Sequence, residues 1–107
     1  MMNSQINIIR DLKNHLIDNF GDIIKEVILF GSQATGLAQP YSDFDILIIL
    51  KIKPDWKLEK SISEKCYDID LKYDIITDVH LLSVSELKTL RGKQPVFINA
   101  IQKGIYA

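Results

Sequence analysis

Apolar positions over the first twenty residues recur at three- and four-residue intervals: Ile6, Ile9, Leu12, Leu16 and Phe20. That spacing lines one face of an α-helix and predicts an amphipathic first helix, with Asn3 or Ser4 as N-cap and Gly21 as C-cap. The period then changes. Glu26 to Phe30 is a short aliphatic run stopped by Gly31, which predicts a buried strand. Ser32 to Leu37 predicts a short helical turn, and Ala38 to Ser42 a loop around Pro40. Asp43 to Lys51 is continuously apolar after its acidic start, the pattern of a central strand covered on both faces. Pro54 and Asp55 open a helix carrying Leu58, Ile62, Cys66 and Ile69 on one side, and Tyr73 to Ser83 predicts a third strand. Ser83 and Glu86 have the spacing of a capping box for a short helix ending near Gly92. Pro95 starts a last helix with Val96, Phe97, Ala100 and Ile101 inward and Gly104 at its end. The order αββαβαα predicts an α/β (α+β) fold: a small mixed sheet of about three or more strands flanked by helices.

A chain of 107 residues suits one domain, spanning 1–107, with one core. The longest uninterrupted aliphatic run, Ile46 to Leu50, is far too short to span a membrane, and the N-terminus lacks the basic and apolar regions of a signal peptide. A single cysteine, Cys66, excludes an internal disulfide and suits a reducing, cytoplasmic setting. The formal net charge of −1 argues against direct binding to nucleic acid, which needs a basic face. Lys51, Lys53, Lys57, Lys60 and Lys65 do cluster, but Asp55, Glu59 and Glu64 interleave with them, as on a solvated helix surface. Oligomeric state is left open, and a homo-oligomer is compatible with these features.

Candidate chemistry concentrates between Gly31 and Asp45. Where a strand gives way to a helix, free backbone N–H groups converge and favour an anion. Gly31 permits close approach of a phosphate, and the Ser32 hydroxyl can donate a further hydrogen bond. Gly31 and Gly36 match the opening of a P-loop, but Leu37-Ala38 follow where Lys-Ser/Thr is required, so that motif fails. Asp43 and Asp45 lie two apart on a predicted strand, where they share a face roughly 6–7 Å apart at Cα. That separation lets them converge on paired metal ions, which sit about 3.5–4 Å apart in two-metal sites. Asp68 and Asp70 have the same spacing but fall on a helix, where positions i and i+2 diverge, so they read as surface residues. A third carboxylate is expected to bind metal or act as base. Asp78, deeper in the third strand, is the stronger candidate, with Asp74 on the same face in reserve.

Other residues read as structural. His15 is expected on the surface, His80 as a strand residue bonded to a neighbour, and Cys66 in the core. Trp56 is expected to cover one end of the core or meet a partner, and Tyr41 to pack in its loop or stack on a base.

Gly31-Ser32, ten intervening residues and Asp43-Phe44-Asp45 resemble the G-S-x10-D-x-D signature of the DNA polymerase β-like nucleotidyltransferase superfamily. The short length is similar to that of its minimal nucleotidyltransferases, the MNT group. Val27-Ile28-Leu29-Phe30, Ile46-Leu47-Ile48, and the ending Pro95-Val96-Phe97 with Lys103-Gly104-Ile105 extend the likeness over nearly the whole chain. The resemblance implies the polymerase β-like fold, with Gly31 and Ser32 holding the triphosphate of ATP or another NTP. It implies two Mg2+ ions on Asp43 and Asp45, with Asp78 as the third carboxylate. The implied reaction moves NMP, AMP in the first instance, from NTP to a hydroxyl. The resemblance also implies a helical HEPN partner, an antitoxin role, and a tyrosine of that ribonuclease toxin as acceptor. Relatives often carry arginines where this chain has Gln33 and Thr35, so its turn holds less positive charge. That departure motivates an alternative: a non-catalytic binding module that neutralises a helical partner by contact, with a residual nucleotide site.

Overall fold

The computed structural model describes residues 2–36, 43–89 and 91–107. The expected loop at 38–42, with Leu37 and Tyr41, lies outside the described residues. Helix α1 (Met2–Phe20) carries Ile9, Leu12 and Leu16 into the core, as their spacing requires. It begins before Asn3 and Ser4, so neither is its N-cap. The first turn is held instead by a tertiary contact, in which the Gln5 amide donates to Gln33. Gly21, at φ 62°, ends the helix and starts a 3-10 turn.

Strand β1 (Ile24–Phe30) leads through Gly31 into the single turn α2 (Ser32–Thr35), which Gly36 closes in the left-handed conformation. Strand β2 (Phe44–Leu50) is antiparallel to β1. The long helix α3 (Trp56–Tyr73) starts at Asp55, whose carboxylate accepts the Leu58 N–H at 2.8 Å. Strand β3 (Thr77–Ser83) runs parallel to β2. The Ser83/Glu86 capping box is present, but it opens a 3-10 turn, Val84–Glu86, rather than a helix reaching Gly92. Helix α4 (Pro95–Lys103) and the two-residue strand β4 (Ile105–Tyr106) complete a four-stranded mixed sheet in the order β3-β2-β1-β4.

Several differences from the sequence pattern have tertiary causes. β3 begins at Thr77, not Tyr73, because α3 continues through Lys72 and Tyr73, which both bond Asp11 on α1 at 2.6 Å. Asp74 is the left-handed C-cap of α3, at φ 53°. It is therefore not on a strand beside Asp78. Lys51 and Lys53 precede α3 instead of riding on it. On α4, Phe97 and Ala100 are buried and Ile101 is half-buried, but Val96 faces solvent. Trp56 is 70% exposed and covers no part of the core. β4 was not expected, since two residues are too few to show alternation. It fits because Gly104 lets the chain turn against Ala100 and Ile28, where a Cβ would collide.

The sheet is covered unequally. Phe44, Ile46, Ile48 and Leu50 point to α1 and α3, joining Val27, Leu29, Ile62, Cys66 and Ile69 in the larger cluster. Alternate residues, Leu47 and Ile49, point to α4 with Ile28, Phe30, Leu82, Phe97 and Ala100. This explains the unbroken apolar run of β2 and leaves the α4 side thin. No helix among the described residues is long and apolar enough to cross a membrane.

Candidate active site

The candidate residues gather at the end of the sheet where β1 finishes and β2 and β3 begin. Phe30 is opposite Asp45 in the antiparallel pair, so Gly31 follows directly at Asp45's side. Gly31 takes φ 73°, and a Cβ there would fall onto the Asp45 Oδ2 atom. Glycine is required twice over, by backbone conformation and by the closeness of the carboxylate. The Gly31 carbonyl accepts the N–H groups of Ala34 and Thr35 at 3.1 and 3.3 Å, which folds Ser32–Thr35 into its turn. Ser32 thus opens a helical turn beside the acidic residues.

Asp45 and Asp78 are register partners across the parallel β2–β3 pair. Alternation puts Asp45 with Leu47 and Asp78 with Leu82, so both carboxylates project on the α4 side. Asp43 lies one position before β2 and is exposed. It is therefore at the strand's entrance and not within it, but its charge reaches Asp45. Burial pushes the Asp45 carboxyl above its usual range, and the negative charges of Asp78 and Asp43 push the same way. His80 opposes them: its Nε2 lies 3.5 Å from Asp78 Oδ2, and its ring packs near Phe30 and Phe97. The reading of His80 as a strand residue contacting a neighbour agrees with this, although that neighbour is a candidate site residue.

Like charges held together, one half-buried (Asp45) and two exposed (Asp43 and Asp78), fit a cation. Among the described residues, no three His, Cys, Asp or Glu side chains form a ready-made metal cage. What the fold supplies is a cross-strand pair with a third carboxylate at its entrance, a donor set of hard oxygens suited to magnesium. The geometry leaves Asp74 out.

Two neighbouring features depart from their sequence readings. Asp70 is half-buried, not a surface residue like Asp68: its Oδ1 accepts the Thr77 N–H at 3.2 Å and holds the start of β3. Burial raises its pKa, the Thr77 bonds lower it, and Asp43 raises it further. No local signal could reveal this, because the contact depends on how residues 74–76 fold back. Gln33, at an expected arginine position, is buried against Gln5, and Thr35 returns its hydroxyl to the Ser32 carbonyl at 3.1 Å. Cys66 is in the core as expected, and burial pushes its thiol up to about 12.

Comparison with known proteins places this geometry. The sequence model of the nucleotidyltransferase domain matches residues 9–102. "Putative protein adenylyltransferase MJ0141" of Methanocaldococcus jannaschii is 38% identical over 71 residues, covering 66% of this chain and 72% of that protein. "Putative protein adenylyltransferase MJ1305" of the same organism is 39% identical over 54 residues, 50% of this chain and 37% of that one. A solved toxin–antitoxin complex with AMP-PNP contains a chain similar at 25% identity and TM-score 0.58, over 94% of this chain and 69% of that one. The fold recurs in an MntA–HpeT toxin–antitoxin pair carrying two Asp→Glu changes two positions apart, with TM-score 0.59, 20% identity and coverage of 91% and 69%. It recurs too in the complex of tri-AMPylated Shewanella oneidensis HEPN toxin with MNT antitoxin, with TM-score 0.55, 22% identity and coverage of 99% and 71%. The family match runs from α1 to the end of α4 and contains the turn and the acidic residues alike: the chain belongs to the nucleotidyltransferase-domain family, and its class is that of a nucleotidyl-transferring enzyme.

Proposed function

We propose that this nucleotidyltransferase is magnesium-dependent and transfers AMP from ATP to a tyrosine hydroxyl of a HEPN-type ribonuclease toxin, acting as its cytoplasmic antitoxin. The observation that carries the reading is the pairing of Asp45 with Asp78 across β2 and β3, beneath Gly31 and with Asp43 at the entrance. In this reading Gly31 and Ser32 hold the triphosphate through the turn's N–H groups and the Ser32 hydroxyl. Asp43, Asp45 and Asp78 would hold two magnesium ions, which when bound would supply positive charge to the triphosphate and favour loss of the acceptor hydroxyl's proton. The hydroxyl oxygen bonds to the α-phosphorus, the bond to the β-phosphate oxygen breaks, and pyrophosphate leaves. In this reading Asp78 receives the hydroxyl proton; its exposure, greater than that of Asp45, supports the role.

The adenylyltransferase names of the relatives support a protein acceptor, the AMP-PNP complex supports ATP, and the AMPylated HEPN toxin supports the partner. The test is incubation of the chain with a HEPN-type partner, labelled ATP and magnesium, with intact-mass analysis and an Asp43→Ala control. Aspartate-dependent addition of AMP to tyrosine is expected; absence of any aspartate-dependent label overturns the reading.

A second reading, contact-only neutralisation, is favoured by Gln33 and Thr35, whose side chains bond within the fold and bring no positive charge to the turn. It predicts that folded Asp43→Ala and Asp45→Ala proteins still neutralise the partner.

A further inference from the structure

We propose that the outer edge of β3 is the acceptor-docking strip: an extended segment of the protein substrate adds to it as a fifth strand and presents its hydroxyl beside Asp78. This rests on the transfer to a protein acceptor proposed above and adds how that acceptor is held.

β3 is an edge strand, and its outward side can be read group by group. Thr77 N–H donates to Asp70, Ser83 N–H donates to Glu86 Oε1 at 3.1 Å, and the Leu81 carbonyl accepts Arg91 Nη2 at 3.1 Å. The Ile76 carbonyl, by contrast, accepts Phe44 N–H from β2. Backbone groups alternate in direction along a strand, so the odd-numbered residues from 77 to 83 point away from β2. The two ends of that edge are capped by side chains. Between the caps, the Thr77 carbonyl, both groups of Val79 and the Leu81 N–H make no outward hydrogen bond among the described residues. Native edge strands are usually blunted. Among the described residues, this one is blunted at its two ends and open on the stretch around and after Asp78.

A cleft of about 480 Å³ opens on that stretch, lined by Val79, His80 and Leu81 with Lys53, Glu59 and Arg91 on its walls. Its charges are balanced. Arg91 Nε holds Glu86 at 3.2 Å, and Lys53 also acts on Glu86. With Glu59 opposite, two cations face two carboxylates, which does not select a phosphate. What the cleft offers is backbone hydrogen bonding, the recognition mode of strand addition. The cleft is walled by the start of α3 on one side and by Arg91 on the other, so the occupant we assign is a single extended segment of the substrate. An extended segment lying on Val79 and Leu81 passes Asp78, so the docking strip and the chemistry are continuous.

Proline at position 81 or 79 removes an outward N–H and leaves the β2–β3 ladder intact. With a HEPN-type partner and labelled ATP, Leu81→Pro is expected to lower labelling about tenfold or more at subsaturating partner, through KM. Mg-ATP affinity by calorimetry should stay within about twofold. Val79→Pro should behave alike. In the wild type, partner binding should protect the Val79 and Leu81 amides from hydrogen exchange. Normal labelling by both folded proline variants, with those amides unprotected, overturns the strip while leaving the transfer reading standing. Protection of both amides without any label overturns the transfer and keeps the strip as a partner site. Wild-type dimers that dissociate on Leu81→Pro would assign the edge to a second copy and overturn the proposal.

Discussion

Two groups of carboxylates are treated in opposite ways by this fold. Along the seam between α1 and α3, Asp11 and Asp68 each meet a donor. Asp11 accepts from Lys72 and Tyr73 at 2.6 Å, and Asp68 lies 2.8 Å from His15 Nε2. Hydrogen bonds from Lys72 and then Tyr73 hold Asp11 below the ordinary carboxylate range. At the corner of β1, β2 and β3, the acids instead face one another, and burial with like charge lifts Asp45 above that range. The seam is satisfied within the chain. The corner is not, and in the proposed reading a cation and the phosphates that accompany it complete it from outside.

The sharpest way to break this contrast is to remove a corner acid. Asp45→Ala or Asp43→Ala should reduce AMP transfer by more than about 100-fold, beyond the 10- to 100-fold usual for a group outside the ligand set. Circular dichroism should show the fold retained. An active Asp45→Ala protein would end the catalytic account of the corner.

Gly31→Ala attacks the same place through the backbone. A left-handed φ with a Cβ on Asp45 Oδ2 should cost about 2 kcal/mol or more, read as a lowered denaturant midpoint, and weaken Mg-ATP binding. Gly21 shares the left-handed conformation but has nothing within 4 Å, so Gly21→Ala should cost only about 1 kcal/mol. Equal losses would show that the carboxylate's closeness is irrelevant.

A smaller effect of opposite sign is expected from Asp45→Asn in metal-free buffer. Removing one of several like charges should raise the melting temperature by about 2–4 °C. A fall would mean that the corner is already neutralised from within.

The smallest change belongs to the seam. Asp11 has a lowered folded pKa, so the unfolded chain binds its proton more readily. Its contribution is complete above the ordinary value of 3.8 and fades as pH falls through the folded value. Asp11→Asn should lower the melting temperature at pH 7 by no more than about 2 °C, because the pair with Lys72 is exposed. Below pH 4 wild type and variant should converge; divergence there would reverse the sign of the linkage.

Local spacing was enough for much of this. The period of Ile9, Leu12 and Leu16 sets the buried side of α1, and the unbroken run Ile46–Leu50 marks a strand covered on two faces. The Gly-Ser turn and the acids after ten intervening residues pointed to phosphate and metal chemistry, because residue type and short-range geometry constrain what a segment can support, and their resemblance to the superfamily signature implied nucleotidyl transfer. The family match bears out that class. The misreadings share one cause. Asp74 looked like a strand partner of Asp78 until the contacts of Lys72 and Tyr73 with Asp11 prolonged α3 past it. Asp70 looked like its exposed neighbour Asp68 until β3 folded back onto it. β4, the pairing of Asp45 with Asp78, and the stretch of β3 left open between its caps all depend on residues far apart in the chain. The sequence by itself determined which segments bury which faces and which side chains carry charge. Only the tertiary structure decided which charges meet and which backbone edge stays free, because both follow from long-range strand pairing that no local period encodes.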